Sequence, residues 1–227
     1  MKAPTILSLD TSTEACSAAV ISGKTEVSRF EIAPRQHANK ILQMIHEVLE
    51  EGNLSLSEVD AIAVGQGPGS FTGVRLGIGV AKGLSFGADI PVIPVSTLKA
   101  LSMAYASPLS DTVIVSAIDA RMSEVYWAVY KGPNRDILTN DSLSRPENIS
   151  ALPPSAFTGC AIGLGSGFGA YKDALVNSLE LEFQDIQSDC YPEAIHIAKA
   201  ALPLFLNGQT IKSEELSPVY LRNDVVR

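Results

Sequence analysis

A chain of 227 residues with 46% hydrophobic side chains carries enough apolar material for a buried core, in one domain or two small ones. Its formal net charge of −8 argues against a protein that holds nucleic acid by itself, because such binding rests on lysine and arginine neutralising phosphates. Cys16, Cys160 and Cys190 are odd in number and lack a CxxC pair, which argues against a disulfide framework and a zinc knuckle; without a signal-like or long apolar run, the expected compartment is the cytoplasm, with no membrane anchor.

In chain order, residues 6–9 read as a buried strand ending in Asp10, Thr11, Ser12 and Thr13, followed by strands over 15–22 and 26–32 with Gly23 and Lys24 at the turn. An acidic and hydroxyl-rich strand end suits a phosphate or magnesium contact, yet Asp, Ser and Thr are also ordinary turn formers, and both readings stand. Residues 35–51 place Ile41, Met44, Ile45, Val48 and Leu49 on one helical stripe, closed by Gly52 and Asn53. After a strand over 59–64 comes a glycine-rich stretch, GQGPGSFTGVRLGIGVAKGLSFG at 65–87, in which Ser70 is placed to cap a helix. Interior glycines each cost that helix about 0.5–1 kcal/mol relative to alanine. Gly73, Gly77 and Ala81 recur four residues apart, as do Gly79, Gly83 and Gly87, so two faces are stripped of side chains. Two readings stand: the helix presses against its own sheet, or one face packs inside and the other meets a partner subunit, with Gly73, Val74, Arg75, Gly77, Ile78 and Ala81 as the contact candidates. A strand over 91–95 and a helix over 97–106 complete a first round.

Strand, acidic turn, strand then recurs over 113–118, Asp119 and 124–130, which suggests two structurally duplicate halves. Residues 142–155 read as a loop with a short helix, 156–162 as a strand, 171–179 and 192–206 as helices, and 217–227 as an irregular or short-stranded tail. Gly165, Gly167 and Ala170, with Asp185 twenty residues on, match a dinucleotide fingerprint, but too little chain follows to complete a doubly wound sheet. A turn near a nucleotide or a structural turn are the competing readings. Ala18 stands where a phosphate loop ending at Lys24 and Thr25 requires glycine, and no GxSxG elbow occurs. His37, His46 and His196 have no metal-ligand spacing.

DTSTEAC (10–16), PRQH (34–37), GQGPGSFTGVRLGIGVAKGL (65–84), PVSTL (94–98), DARMSEVY (119–126) and PVYLR (218–222) closely resemble the bacterial TsaB family, also called YeaZ, over nearly the whole chain. The resemblance implies an α/β fold of the actin-like ASKHA type with two related lobes, 1–106 carrying the glycine-rich docking helix and 107–227, whose last helix can pack back on the first lobe. It also implies a non-catalytic scaffold in the machinery that installs threonylcarbamoyl on N6 of adenosine 37 in tRNAs reading codons that begin with A. The implied partners are a catalytic paralogue, TsaD, and an ATPase, TsaE; the chain alone is a homodimer, meets tRNA only through the complex, and binds no cofactor tightly, ATP being used by the complex. Thr97 and Leu101 align with the paralogue's HxxxH metal pair, so no metal site and no catalytic residue are expected here. Asp10, Thr11, Ser12, Asp119, Gly165 and Gly167 are what remains of nucleotide loops, and Arg121 either fills the space of a phosphate or pairs with Asp119. The alternative is a small-molecule kinase or phosphotransferase on the same fold, which requires tight ATP and magnesium binding by this chain alone.

Overall fold

The computed structural model describes residues 3–106, 108–149 and 160–222. Gly23, in the left-handed region at φ +62°, closes a two-residue turn between β2 (Ala15–Ser22) and β3 (Thr25–Ile32), and β2 in turn pairs antiparallel with β1 (Thr5–Asp10). β4 (Ala61–Gly65) and β5 (Val92–Val95) join the other side of β1 in parallel, giving the order β3-β2-β1-β4-β5. Leu7, Leu9, Val20, Ile62 and Val64 face α1 (His37–Glu51) and α2 (Phe71–Ala88) in one apolar cluster, and the five residues of the α1 stripe are all buried in it as their spacing predicts. The opposite face of this sheet carries Ser8, whose hydroxyl donates to the Ala194 carbonyl at 2.7 Å, while the Ala194 amide donates to Ser17 Oγ at 2.9 Å. Those bonds seat the start of α5 (Ala194–Leu206) on β1 and β2.

The second sheet repeats the scheme. β6 (Val113–Arg121), β7 (Glu124–Lys131) and β8 (Asp136–Ser144) form the antiparallel meander, and β9 (Ala161–Leu164) and β10 (Phe183–Gln187) add in parallel, in the order β10-β9-β6-β7-β8. Each strand thus has its counterpart at the same place in the first sheet, as two related lobes of an actin-like ASKHA fold require. α4 (Ser166–Leu179) covers this sheet through Phe168, Leu175 and Leu179.

Several boundaries differ from the sequence reading. β8 and β10 are additional strands; both are half-exposed and polar, so neither shows the alternation that marks a strand. β9 extends to Leu164, while 150–159 lie outside the described residues, and the short helix expected nearby is a 3₁₀ turn at Pro146–Asn148. α4 starts at Ser166 and is broken at Tyr171 (φ −139°), the residue at which the sequence places its start. α3 is confined to Thr97–Ser102, and residues 217–222 are irregular. The compact units are the chain to Ala100 together with Pro192–Val219, and Leu101–Tyr191 together with the segment starting at Tyr220. The last helix accordingly belongs to the first unit, and the boundary falls six residues before the 106/107 division read from the sequence. No helix among the described residues is long and apolar enough to cross a membrane.

Candidate functional site

Because β4 runs parallel to β1, the chain leaving Gly65 passes directly beside the turn that follows Asp10. Ser70 caps α2 by accepting the Gly73 amide at 3.4 Å, and its own amide donates to the Ser12 carbonyl at 2.7 Å. The approach is too close for side chains. A Cβ at Gly65 would overlap Asp10 Oδ1, one at Gly69 the Ser12 carbonyl oxygen and one at Gly73 the Thr11 carbonyl oxygen, and a Cβ at Gly77 would lie 2.9 Å from Thr11 Oγ1. Four glycines of the stretch are therefore steric requirements of a single turn.

That turn is closed. Thr11 Oγ1 donates to the Gly73 carbonyl at 2.7 Å, and the Ser12 amide and hydroxyl both donate to Asp10 Oδ2, at 3.1 and 2.8 Å. Thr11 and Ser12 are about as buried as Asp10, and their hydroxyls, expected to meet a phosphate or magnesium ion, are bonded within the protein. Asp10 Oδ1 is buried without a hydrogen-bond partner. Burial pushes the Asp10 carboxyl up to about 7, against the lowering effect of the two Ser12 bonds.

The second unit closes its acidic turn in a different way. Arg121 reaches Asp119 with its backbone amide at 2.8 Å and with Nη1 at 2.8 Å, and Tyr171 donates its hydroxyl to Asp119 Oδ1 at 3.2 Å. Of the two readings of Arg121, the ion pair is the one observed. Arg121, Met122 and Ser123 all adopt left-handed backbone, and Arg222 holds this hairpin by donating to the carbonyls of Ala120 (3.1 Å) and Arg121 (3.3 Å) while pairing with Glu124 (2.5 Å). Gly165 (φ +103°) stands between β9 and α4 and Gly167 in the first turn of α4, as the fingerprint places them, with Asp185 on β10. Their space is taken as well: a Cβ at Gly165 would overlap the Ala117 carbonyl oxygen, and one at Gly167 would lie 2.8 Å from Ala117 Cβ and Val125 Cγ2. Of the nucleotide-loop candidates, Asp10, Thr11 and Ser12 come together in one unit, and Asp119, Gly165 and Gly167 in the other. Neither group presents an open cradle within its own unit.

The two glycine rows of α2 separate cleanly. Gly73, Gly77 and Ala81 face the protein, and Val74 (2% exposed), Ile78 (5%) and Ala81 (0%) lie in the apolar core of their own unit. Five of the six contact candidates are thus internal, contrary to the sequence reading; the turn at Asp10–Ser12 pulls their face inward, and of the six only Arg75 points out. A Cβ at Gly79, Gly83 or Gly87 would meet nothing within 4 Å. Around this bare row stand exposed Phe71, with the Arg75 guanidinium 3.6 Å above its ring, and Phe86, which is 80% exposed. Phe86 was legible as the aromatic beside Gly83 and Gly87, but its direction depended on which row was buried. Thr97 and Leu101 are fully buried, and among the described residues no group of three or more His, Cys, Asp or Glu side chains is placed to hold a metal ion.

Residues 19–194 match the family model described as TsaD: tRNA N6-adenosine threonylcarbamoyltransferase. The chain is 39% identical over 223 residues to the tRNA threonylcarbamoyladenosine biosynthesis protein TsaB of Escherichia coli, covering 97% of this chain and 95% of that protein. It is likewise 39% identical over 232 residues to the TsaB of Haemophilus influenzae, covering 97% and 94%. The solved structure of YeaZ from Pseudomonas aeruginosa superposes with a TM-score of 0.85 at 36% identity, covering 96% of this chain and 100% of that one. With near-complete coverage by both sequence and structure, and with the glycine-rich helix and both acidic turns inside the matched region, the chain belongs to the TsaB (YeaZ) family.

Proposed function

We propose that this chain is a non-catalytic subunit of tRNA threonylcarbamoyladenosine biosynthesis, and that it docks onto the threonylcarbamoyl-transferring paralogue, TsaD, through the outer face of α2. The observation that carries the docking surface is the row Gly79, Gly83 and Gly87, at which an added Cβ would meet nothing within 4 Å among the described residues. Three exposed glycines in a helix cost about 0.5–1 kcal/mol each, and no contact at that row among the described residues offsets the cost. Close approach of a second helix backbone would offset it. Phe71, Arg75 and Phe86 then supply the aromatic and cationic anchors that interfaces favour. The closed turns at Asp10 and Asp119 support the non-catalytic part of the reading, since the Thr11 and Ser12 hydroxyls and the Asp119 carboxylate are already bonded internally. ATP consumption in the pathway then falls to the partner subunits, TsaD and TsaE, and tRNA is met through the complex.

The test is a reconstitution of threonylcarbamoyl transfer to tRNA by the paralogue and the ATPase, read as modified nucleoside by mass spectrometry. Modification is expected to require this chain, to be absent with this chain alone, and to fail with a Gly83→Leu variant that remains folded. Equal modification without the chain would overturn the assignment; full activity of Gly83→Leu would overturn the docking surface.

A further inference from the structure

The hairpin between β6 and β7 carries at its tip a residue that turn chemistry does not explain. Arg121, Met122 and Ser123 hold left-handed backbone at φ +62°, +56° and +60°. Such positions are the ordinary home of glycine, asparagine and aspartate, and a long unbranched thioether has no part in forming the turn. Nor does it serve the core. Met122 is 78% exposed, whereas Met44 is buried in the apolar cluster of the first unit and Met103 is half-buried.

Met122 touches an arginine. Arg222, from the segment of the same unit that starts at Tyr220, grips the hairpin: Nη2 donates to the carbonyls of Ala120 and Arg121, and Nη2 and Nε both donate to Glu124 Oε2. Nη1 takes no part in those bonds and is directed at Met122 Sδ, 3.5 Å away. A thioether sulfur is a weak acceptor, so this last contact adds little to the grip as it stands. It is also the contact that oxidation would change most. One added oxygen turns the apolar thioether into a polar sulfoxide, and exposure makes Met122 the accessible sulfur among the described methionines.

We propose that Met122 is a reversible oxidation site with a peroxide as its substrate, and that its sulfoxide tightens the latch between Arg222 and the hairpin at 120–124. In the forming step a sulfur lone pair attacks one oxygen of hydrogen peroxide; the S–O bond forms as the O–O bond breaks, and sulfur gives up two electrons. The departing oxygen leaves with the bonding pair and takes the proton of the oxygen that stays, so the products are sulfoxide and water. Arg222 is placed to hold that product. Its Nη1 exchanges a weak acceptor for a strong one in a charge-assisted bond, while the bonds of Nε and Nη2 to Glu124, Ala120 and Arg121 stay in place. The flexible thioether supplies the small rotation that the added oxygen needs. Return to the thioether falls to methionine sulfoxide reductases, to which an exposed hairpin tip is open. The site lies wholly within the second unit and is independent of the paralogue's docking on α2.

The full chain treated with dilute hydrogen peroxide, then followed by peptide mass spectrometry and by amide hydrogen exchange, tests the proposal. Oxygen is expected at Met122 about tenfold faster than at Met44 or Met103, in keeping with their exposure. Once Met122 is oxidised, exchange at 120–124 is expected to slow about fivefold, and a sulfoxide reductase should restore the original rate. Met122→Leu should show the same exchange before and after peroxide. In Arg222→Ala, whose hairpin starts out looser, oxidation of Met122 should bring no slowing. If Arg222→Ala does not fold, oxidised and reduced wild type with Met122→Leu as control still decide. Oxidation of Met44 or Met103 as fast as Met122 overturns the proposal, as does a Met122 sulfoxide that leaves exchange at 120–124 unchanged or faster. Slowing that persists in Arg222→Ala overturns it too, since the latch would then have no part in the effect.

Discussion

Replacing Gly83 with alanine is expected to stabilise this protein while weakening its complex, an outcome that a glycine conserving only internal packing could not give. The added methyl meets nothing within 4 Å, so no contact is lost and none is forced. What changes is the entropy of the unfolded chain, worth about 0.5–1 kcal/mol in favour of alanine at an exposed helical site. For a chain of this size that corresponds to a rise in Tm of about 1–4 °C. Gly73→Ala, one row round the same helix, inverts the sign: its Cβ would overlap the Thr11 carbonyl, a backbone atom held by the turn, so the helix must shift at a cost of about 1–3 kcal/mol or more. Urea unfolding of the wild type and both variants, compared at equal slope, measures the two effects, and titration against the paralogue measures the third. A destabilised Gly83→Ala would refute the reasoning, because it would mean that the outer row is packed. Unchanged affinity for the paralogue would leave the row bare but without the role assigned to it.

Val74→Glu is expected to cost about 3–5 kcal/mol by burying an unpaired carboxylate, so any loss of docking should track loss of fold in circular dichroism rather than precede it. Asp10 gives a pH signature: its folded-state pKa of about 7 exceeds the ordinary carboxyl value, the native state holds the extra proton, and the stabilisation present at low pH is lost as pH rises toward 7. Asp10→Asn should therefore gain on the wild type, by an amount on the order of 4 kcal/mol between pH 4 and pH 8, and a difference independent of pH would contradict the burial argument. Arg222→Ala removes bonds to two hairpin carbonyls and the Glu124 pair, so amide exchange around 120–124 should accelerate with a global cost of about 1–3 kcal/mol. Unaltered exchange there would show that the left-handed turn holds its shape without the tail.

What the sequence revealed and what it hid divide along physical lines. The α1 stripe and the meander β1–β3 were readable because burial imposes a period on them, and the repeated acidic hairpin pointed to two related halves. β8 and β10 were not readable, since residues such as Asn140, Asp141 and Gln184 break any alternation on strands that are only half covered. The glycine-rich helix was identified as special, yet its orientation was not. Gly73/Gly77/Ala81 and Gly79/Gly83/Gly87 are equivalent as patterns, and only the Asp10–Ser12 turn, sixty residues upstream in sequence, decides which row goes in. The acidic turns were found by composition, but that Ser12 and Arg121 would bond the carboxylates themselves is a matter of three-dimensional reach.

The return of α5 to the first unit also sets the order in which this chain can fold as it is made. Ser8 and Ser17 hold polar groups for Ala194, and the face of β1 and β2 around them remains uncovered until residues 192–206 leave the ribosome. All of residues 101–191 are synthesised in between, a delay on the order of 5–20 s at ordinary translation speeds. The second unit, nearly contiguous in the chain, can therefore fold ahead of the first. The N-terminal sheet spends that interval as a sticky intermediate, and a truncation before Pro192 should yield insoluble protein even though every strand of both sheets is present.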